Sequence, residues 1–264
     1  MLYFLENTIS EGNMFILHKA RCGTKYVILK TTRIKDAMYS EILRREYELG
    51  KTLSHASVIS TLGFEENTPV GAAIVLEYID GITLREYLLV NSSPSTSTES
   101  ERKHILHDIL DGIDYLHHRG ILHNDIKPDN ILVDENGDAI LIDFGIAKQY
   151  DNENNIVDPR VSKCNGPFTA PELKYGNMVK FGSQTDIYGL ASSIYYLIAA
   201  PEIPHPVYDF SDQDEDLREN LSQANCSVGF IDAVVAGLQF SATSRPCNAQ
   251  AFLNMFPGCE DIIL

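Results

Sequence analysis

Two short motifs near the middle of the chain constrain its fold and chemistry more than any other feature. The first occupies residues 123–130 and reads H-N-D-I-K-P-D-N, and the second is D-F-G at 143–145. An acid, a lysine two residues later and an asparagine three residues after that are expected on one tight loop. A second acid follows beyond a short apolar hairpin. Such a set can orient a hydroxyl, neutralise a phosphate and hold two metal ions, which is what phosphoryl transfer requires.

The composition is that of an ordinary globular protein with an acidic surface. The 264 residues, 44% of them hydrophobic, suffice for one large domain or two small lobes. The net charge of −16 argues against nucleic acid or an anionic membrane as the main partner, because both need a basic face. Five scattered cysteines predict neither a disulfide framework nor a zinc site, and they favour a cytoplasmic location. No segment has the pattern of a signal peptide or a membrane span.

The order of apolar runs predicts a small sheet followed by a mainly helical region. Four strand-like runs lie within residues 14–78, and a charged helix is predicted among them over 34–53. The pattern changes at Asp80-Gly81, beyond which helical spacing dominates. The Ser/Thr-rich run 91–100 predicts a mobile loop. The long helix that follows is predicted to end at Gly120.

A hairpin between the two motifs predicts where a metal site would form. Short strands are predicted over 131–133 and 139–142, around a turn at 135–138. This hairpin would bring Asn130 and Asp143 close together at its open end.

The motifs and their order resemble the protein kinase family, of the serine/threonine type. The resemblance covers nearly the whole chain through eight motifs, at 27–30, 45–46, 76–78, 123–130, 143–145, 170–172, 186–189 and 244–246. It implies a single α+β kinase domain with two lobes: a small antiparallel β-sheet N-lobe with one helix, and a larger, mainly helical C-lobe. The N-lobe would span 1–77, the hinge 78–81 and the C-lobe 82–264.

The resemblance implies a role for each of four catalytic residues. Lys30 would pair with the α- and β-phosphates of ATP, and Glu46 would hold Lys30 in place, with Glu48 as the rival acid. Asp125 would accept or orient the substrate hydroxyl, and Lys127 would stabilise the transferring phosphate. A lysine at this position resembles serine/threonine kinases rather than tyrosine kinases.

The implied cofactors are ATP and Mg²⁺, with Mn²⁺ as an alternative metal. Asn130 and Asp143 would hold the metal through oxygen ligands. The residues expected at the nucleotide are Ser10, Gly12, Leu17, Ile28, Lys30, Leu76, Glu77, Ile79, Leu132 and Asp143. Among these, Leu76 would be the gatekeeper beside the adenine, and the backbone of Glu77 and Ile79 would contact its edge.

Four departures from the family pattern affect the expected activity: a phosphate loop poor in glycine, Ile28, Asn124, and Asn165 in place of the threonine expected near the substrate-binding loop, with Gly50 as a further change. Only Gly12 survives of three glycines in the phosphate loop, and Phe15 replaces the last of them, which would weaken phosphate binding or form a lid. Ile28 replaces the small residue that lies over adenine, and Gly50 replaces a large apolar residue, which would leave its helix loosely held. Asn124 replaces the arginine that pairs with a phosphate on the activation loop, so control by phosphorylation of that loop is not expected.

The predicted function is therefore transfer of the γ-phosphoryl group of ATP to a serine or threonine of a protein substrate. A regulatory protein is a further expected partner, whereas nucleic acid and membrane are not. The alternative is a pseudokinase, a non-catalytic binding or scaffold module, which Ile28 and Phe15 would favour. A small-molecule phosphotransferase is disfavoured by the A-P-E motif at 170–172 and by Arg245, which would pair with Glu172 and shape a peptide platform.

Overall fold

Alternating apolar residues in the first third of the chain form one antiparallel sheet. The structure is a computed structural model that describes residues 2–90, 99–150, 166, 168–175, 182–199, 213–224 and 226–256. Its strands are β1 (Tyr3–Glu11), β2 (Phe15–Cys22), β3 (Lys25–Thr32), β4 (Thr61–Thr68) and β5 (Gly71–Glu77), in the order β1-β2-β3-β5-β4. Contacts between Cα atoms place this sheet in a first unit, residues 1–80 with 142–145, and the remainder in a second unit. The predicted α+β fold is confirmed, while the predicted lobe limits stay a prediction.

The two faces of the sheet carry different side chains. Val27 and Leu29 point into a small core with Tyr3, Ala20, Ala73 and Val75. Direct pairing of Leu17 with Lys30 and of Ile28 with Leu76 puts these four side chains on the opposite face, because paired residues share a face.

Strand β1 is the element that the sequence pattern does not predict. It lies at the edge of the sheet, and only Tyr3 among its nine residues is buried. An edge strand with one buried side chain shows no alternation of apolar and polar residues, so periodicity cannot reveal it.

Helix α1 (Ala37–Gly50) begins later than the predicted range because Asp36 caps it, accepting a hydrogen bond from the Met38 N–H at 2.7 Å. The helix approaches β4 closely at its last residue. A Cβ atom built on Gly50 would lie 2.3 Å from Thr61 Oγ1. The close contact is contrary to the expectation that Gly50 leaves the helix loosely held.

Replacing Gly50 with alanine should destabilise the first unit despite the better helix propensity of alanine. The overlap with Thr61 Oγ1 is an overpacking defect of about 1–3 kcal/mol, against about 1 kcal/mol gained from propensity. Urea unfolding of Gly50→Ala measures the net loss. Gly63→Ala is the matched control, since a Cβ there meets no atom within 4 Å. A Gly50→Ala midpoint equal to or above the wild-type value would contradict the close packing.

The second unit is mainly helical. Its described helices are α2 (Leu84–Val90), α3 (Glu99–His118), α4 (Pro171–Tyr175), α5 (Ser183–Ala199), α6 (Gln213–Gln223), α7 (Val228–Gly237) and α8 (Ala249–Leu253). Short strands β6 (Gly81–Thr83), β8 (Ile131–Asp134) and β9 (Ala139–Leu141) form one sheet, and β7 (Ile121–Leu122) pairs with β10 (Lys148–Gln149). Helix α5 packs against α3, α6, α7 and α8 and is almost wholly buried along its length.

Several sequence expectations for this unit are confirmed. The long helix is followed by Gly120 at a φ of 68°, and the hairpin of β8 and β9 pairs Ile131 with Leu141. Gly137, at a φ of 86°, lies in the turn between the two strands. Residues 91–98 of the loop predicted over 91–100, and residues 151–165, lie outside the described residues, while 99–100 begin helix α3 rather than ending the loop. Within the described part of the chain, none of the helices is both long enough and apolar enough to cross a bilayer.

Candidate functional site

The first unit brings together three predicted site residues around one buried lysine. Lys30 on β3 is 3% exposed, and its Nζ lies 2.6 Å from Glu46 Oε1 and 2.7 Å from Asp143 Oδ1. Glu46 lies on the buried face of α1, whereas the rival Glu48 pairs with Lys51 at the exposed surface. The geometry therefore selects Glu46 over Glu48 as the partner of Lys30.

The charge on Lys30 is fixed by its two acidic neighbours. Burial alone would disfavour the ammonium form, but the carboxylates of Asp143 and Glu46 outweigh it and raise the pKa of Lys30 above its ordinary value. Burial also raises the pKa of Glu46, an effect that Lys30 opposes. Because the lysine pKa is raised, its contribution to stability is complete at neutral pH and is lost only as the pH rises through that higher value. Lys30 is thus a permanent cation under physiological conditions.

Asp143 is oriented by an unusual backbone conformation. Its φ is 67°, in the left-handed region that aspartate tolerates better than most residues. The Oδ1 atom also accepts the Gly145 N–H at 3.1 Å, and Phe144 between them is 4% exposed. The buried Phe144 ring anchors the D-F-G motif in the first unit, while the Asp143 side chain remains 44% exposed.

The glycine-poor turn places an aromatic ring at the same lysine. The Gly12 N–H donates to the Phe15 carbonyl at 2.9 Å, which closes the turn between β1 and β2. Lys30 Nζ lies 4.8 Å from the centroid of the Phe15 ring, a cation–π distance. Ser10, the other replaced glycine, lies in β1 and is exposed.

The residues predicted to meet adenine are divided between the two units. Leu17, Ile28 and Leu76 lie on the same sheet face as Lys30 and are partly buried. The Glu77 N–H donates to the Ser60 carbonyl at 3.0 Å, and Ile79 follows two residues later. Leu132 lies on β8 in the second unit.

The second unit brings the catalytic-loop residues together. Lys127 Nζ lies 2.6 Å from Asp125 Oδ2, and Asn130 Nδ2 donates to Asp125 Oδ2 at 2.8 Å and to its carbonyl at 2.9 Å. A 3₁₀ turn, Pro128–Asn130, is closed by the Asn130 N–H bonding to the Lys127 carbonyl at 2.9 Å. Since Asn130 uses its amide nitrogen towards Asp125, its amide oxygen remains the group suited to a cation.

The backbone before Asp125 is anchored to helix α5. Asp186 is 1% exposed and accepts the N–H groups of His123 and Asn124 at 2.8 and 2.7 Å, and its Oδ2 lies 3.0 Å from His117 Nε2. Asn124 has a φ of 63°, which asparagine adopts more readily than most residues. The asparagine that replaces the family's arginine is therefore well suited to this backbone.

Sequence reasoning missed one residue beside this loop. Arg85 on α2 forms two hydrogen bonds of 2.7 Å with the carboxylate of Asp129, inside the 3₁₀ turn. These bonds hold the pKa of Asp129 below its ordinary value. The sequence feature that could have indicated it is Asp129, an acid between Lys127 and Asn130 for which a cationic partner could have been sought.

The predicted pair of Glu172 and Arg245 forms in the second unit. Arg245 has no exposed side-chain surface, and its Nη1 and Nη2 lie 2.7 and 2.9 Å from the two carboxylate oxygens. It also donates to the carbonyls of Gln184, Gln239 and Phe240.

Replacing Arg245 with methionine should cost about 3 kcal/mol or more, because Glu172 would be left buried without its cation. Arg245→Lys should recover little of this loss, since an ammonium cannot reproduce the bidentate contact. Urea unfolding compares both variants with Arg218→Ala, which removes an exposed pair with Asp232. Equal midpoints for Arg245→Met and Arg218→Ala would show that the buried pair is not required.

The oxygen donors of Asp143 and Asn130 suit a hard cation such as Mg²⁺, because this metal prefers carboxylate and carbonyl ligands. Another set of possible ligands among the described residues is His104, Asp108 and Asp138, whose ligand atoms lie within 4.8 Å of one another. His104 Nε2 already lies 2.6 Å from Asp138 Oδ1, and that hydrogen bond raises the pKa of His104. An ordinary surface ion pair accounts for this second set.

Comparison with known proteins agrees with the geometry. The family model for the protein kinase domain matches residues 10–246. The chain is 29% identical over 202 residues to NUAK family SNF1-like kinase 1 of Mus musculus, covering 74% of the chain and 29% of that protein. It is 27% identical over 205 residues to serine/threonine-protein kinase PknB of Mycolicibacterium smegmatis, covering 74% and 32%. It is 30% identical over 213 residues to PR5-like receptor kinase of Arabidopsis thaliana, covering 78% and 31%. The chain thus spans about a third of the length of these relatives.

Proposed function

Because the chain belongs to the protein kinase domain family, we propose that it transfers the γ-phosphoryl group of ATP to a serine or threonine of a protein. The observation that carries the proposal is the cluster on a single loop in which Lys127 lies 2.6 Å and Asn130 lies 2.8 Å from the same Asp125 oxygen, Oδ2. In this cluster Asp125 suits the acceptor hydroxyl, Lys127 suits the anionic phosphoryl group, and the Asn130 amide oxygen suits a divalent cation. The names of the relatives also support catalysis over the pseudokinase alternative.

Each unit contributes a separate part of the chemistry. In the first unit, the permanently charged Lys30 binds the non-transferred phosphates and is held by Glu46. In the second unit, the Asp125 carboxylate orients the acceptor hydroxyl and takes its proton, while Lys127 offsets the charge that develops on the transferring group.

Mg²⁺, or alternatively Mn²⁺, would be the metal, and Asp143 of the first unit and Asn130 of the second would each offer it an oxygen ligand. When bound, the metal neutralises phosphate charge that protein groups alone leave uncompensated. Asp143 stays oriented in its absence through the bond from Lys30.

The acceptor is a protein serine or threonine, as the lysine at 127 and the serine/threonine kinases among the relatives suggest. The charge of −16 supports protein partners, among them a regulator, over nucleic acid or membrane. The scattered cysteines favour the reducing cytoplasm.

Phosphate transfer by the purified chain tests the proposal directly. The chain itself and a panel of generic acceptor proteins are incubated with ATP and Mg²⁺, or separately Mn²⁺, and the products are read by intact mass. Transfer that requires the metal and is absent from Asp125→Asn is expected. A thermal shift on adding Mg-ATP should accompany it, because ligand binding stabilises the fold by mass action. Failure of both transfer and thermal shift with either metal would favour the pseudokinase.

A further inference from the structure

Arg85 forms several contacts next to the catalytic loop and has no role in the chemistry proposed above. Its Nε and Nη2 atoms lie 2.7 Å from Asp129 Oδ1 and Oδ2, a bidentate arrangement that fixes both planar groups. Its Nη1 atom also donates to the Tyr196 hydroxyl at 3.2 Å. The three bonds join helices α2 and α5 to the 3₁₀ turn Pro128–Asn130.

Two aromatic rings restrict the guanidinium further. Its Cζ atom lies 5.6 Å from the centroid of Phe168 and 5.3 Å from that of Tyr196. The two rings meet edge to face, with centroids 5.6 Å apart, and Phe168 is 5% exposed. Contact with these two rings limits the rotamers that Arg85 can adopt and keeps its N–H donors directed at Asp129.

Asp129 is the point through which Arg85 can act on the loop. It lies directly between Pro128 and Asn130 in a turn of only three residues. That turn sets the direction of the Asn130 side chain, whose amide binds Asp125. A shift of Asp129 would therefore move both Asn130 and the carboxylate that it orients.

We propose that Arg85 is a positioning residue for phosphoryl transfer, which holds the 3₁₀ turn so that Asn130 and Asp125 keep their productive geometry. The inference rests on the proposed function, because productive geometry is defined by that reaction. The side chains of Arg85 and Asp129 are 33% and 42% exposed, so solvent screens the pair, and a role in positioning the loop is favoured over one in global stability.

Kinetics of Arg85→Ala and of a matched control give the first test. The control is Arg218→Ala, which removes a similarly exposed Arg–Asp pair from helices α6 and α7. Arg85→Ala should lower kcat roughly 10- to 100-fold, the usual effect of removing a partner that orients a metal ligand, with KM for ATP and acceptor unchanged. Arg85→Lys should recover part of kcat. In an Asp129→Ala background, Arg85→Ala should cost nothing more, because both act through one contact.

Hydrogen exchange gives a second test that does not depend on activity. The Asn130 N–H closes the 3₁₀ turn, so its exchange should be roughly tenfold faster in Arg85→Ala and unchanged in Arg218→Ala. If the wild-type chain shows neither transfer nor a thermal shift with Mg-ATP, the proposed function fails and this exchange rate alone decides whether Arg85 holds the turn. Three results would overturn the inference: unchanged Asn130 exchange, a loss of kcat that follows a loss of global stability, or a change confined to KM for the acceptor.

Discussion

Asp125→Asn is expected to lower phosphate transfer by about 100- to 10,000-fold, the range for removing a positioned general base. Asparagine has the shape of aspartate and keeps an oxygen that can accept from Lys127 and Asn130. The loop should therefore keep its structure, and the loss should fall on kcat. Intact mass after incubation with Mg-ATP and acceptor measures it.

The control for this substitution is Asp232→Asn, which alters an exposed carboxylate on α7 in the same way. The control should retain full transfer, and both variants should keep the thermal shift with Mg-ATP. Transfer by Asp125→Asn within about tenfold of the wild-type rate, below the range for a lost base, would remove Asp125 from its proposed role.

Lys30→Met is expected to affect both stability and transfer. The side chains of Lys30 and Glu46 are 4% and 5% exposed, so removing the lysine leaves Glu46 buried beside a second acid, Asp143. The cost to unfolding free energy should be about 3–5 kcal/mol. Transfer should fall about 100- to 1,000-fold, the scale for losing one fixed donor to a developing charge.

A double variant separates these two effects. Lys30→Met combined with Glu46→Leu replaces the ion pair by apolar side chains, which should restore most of the stability. It should restore none of the transfer, because no cation remains to meet phosphate. Urea unfolding and the mass assay on the same samples measure the two quantities. Recovery of transfer in the double variant would show that Lys30 serves only to neutralise Glu46.

The sequence predicted which side chains lie together where one short segment contains them. Asp125, Lys127 and Asn130 lie within six residues, so a single tight loop was enough to bring them together. The resemblance also indicated Glu46 as the partner of Lys30, although sixteen residues separate the two. The roles of these residues in catalysis stay predictions.

Features that depend on contacts distant in sequence could not be predicted. Arg85 and Asp129 are 44 residues apart, and nothing local to Arg85 indicates its partner. Gly50 was misinterpreted because a missing side chain means either a gap or a close approach, and only the position of Thr61 distinguishes the two. Strand β1 escaped detection because an exposed edge strand has almost no buried face.

The division of the chain into units also sets an order for events at the ribosome. Residues 142–145 belong to the first unit, although 1–80 supply the rest of it. Lys30 and Glu46 can therefore meet once 1–80 has been made, while Asp143 joins them only after residues 81–141 of the second unit have also been synthesised. Of its two acidic partners, Lys30 has Glu46 alone in that interval, and the first unit is complete only when 142–145 has followed 81–141 of the second unit.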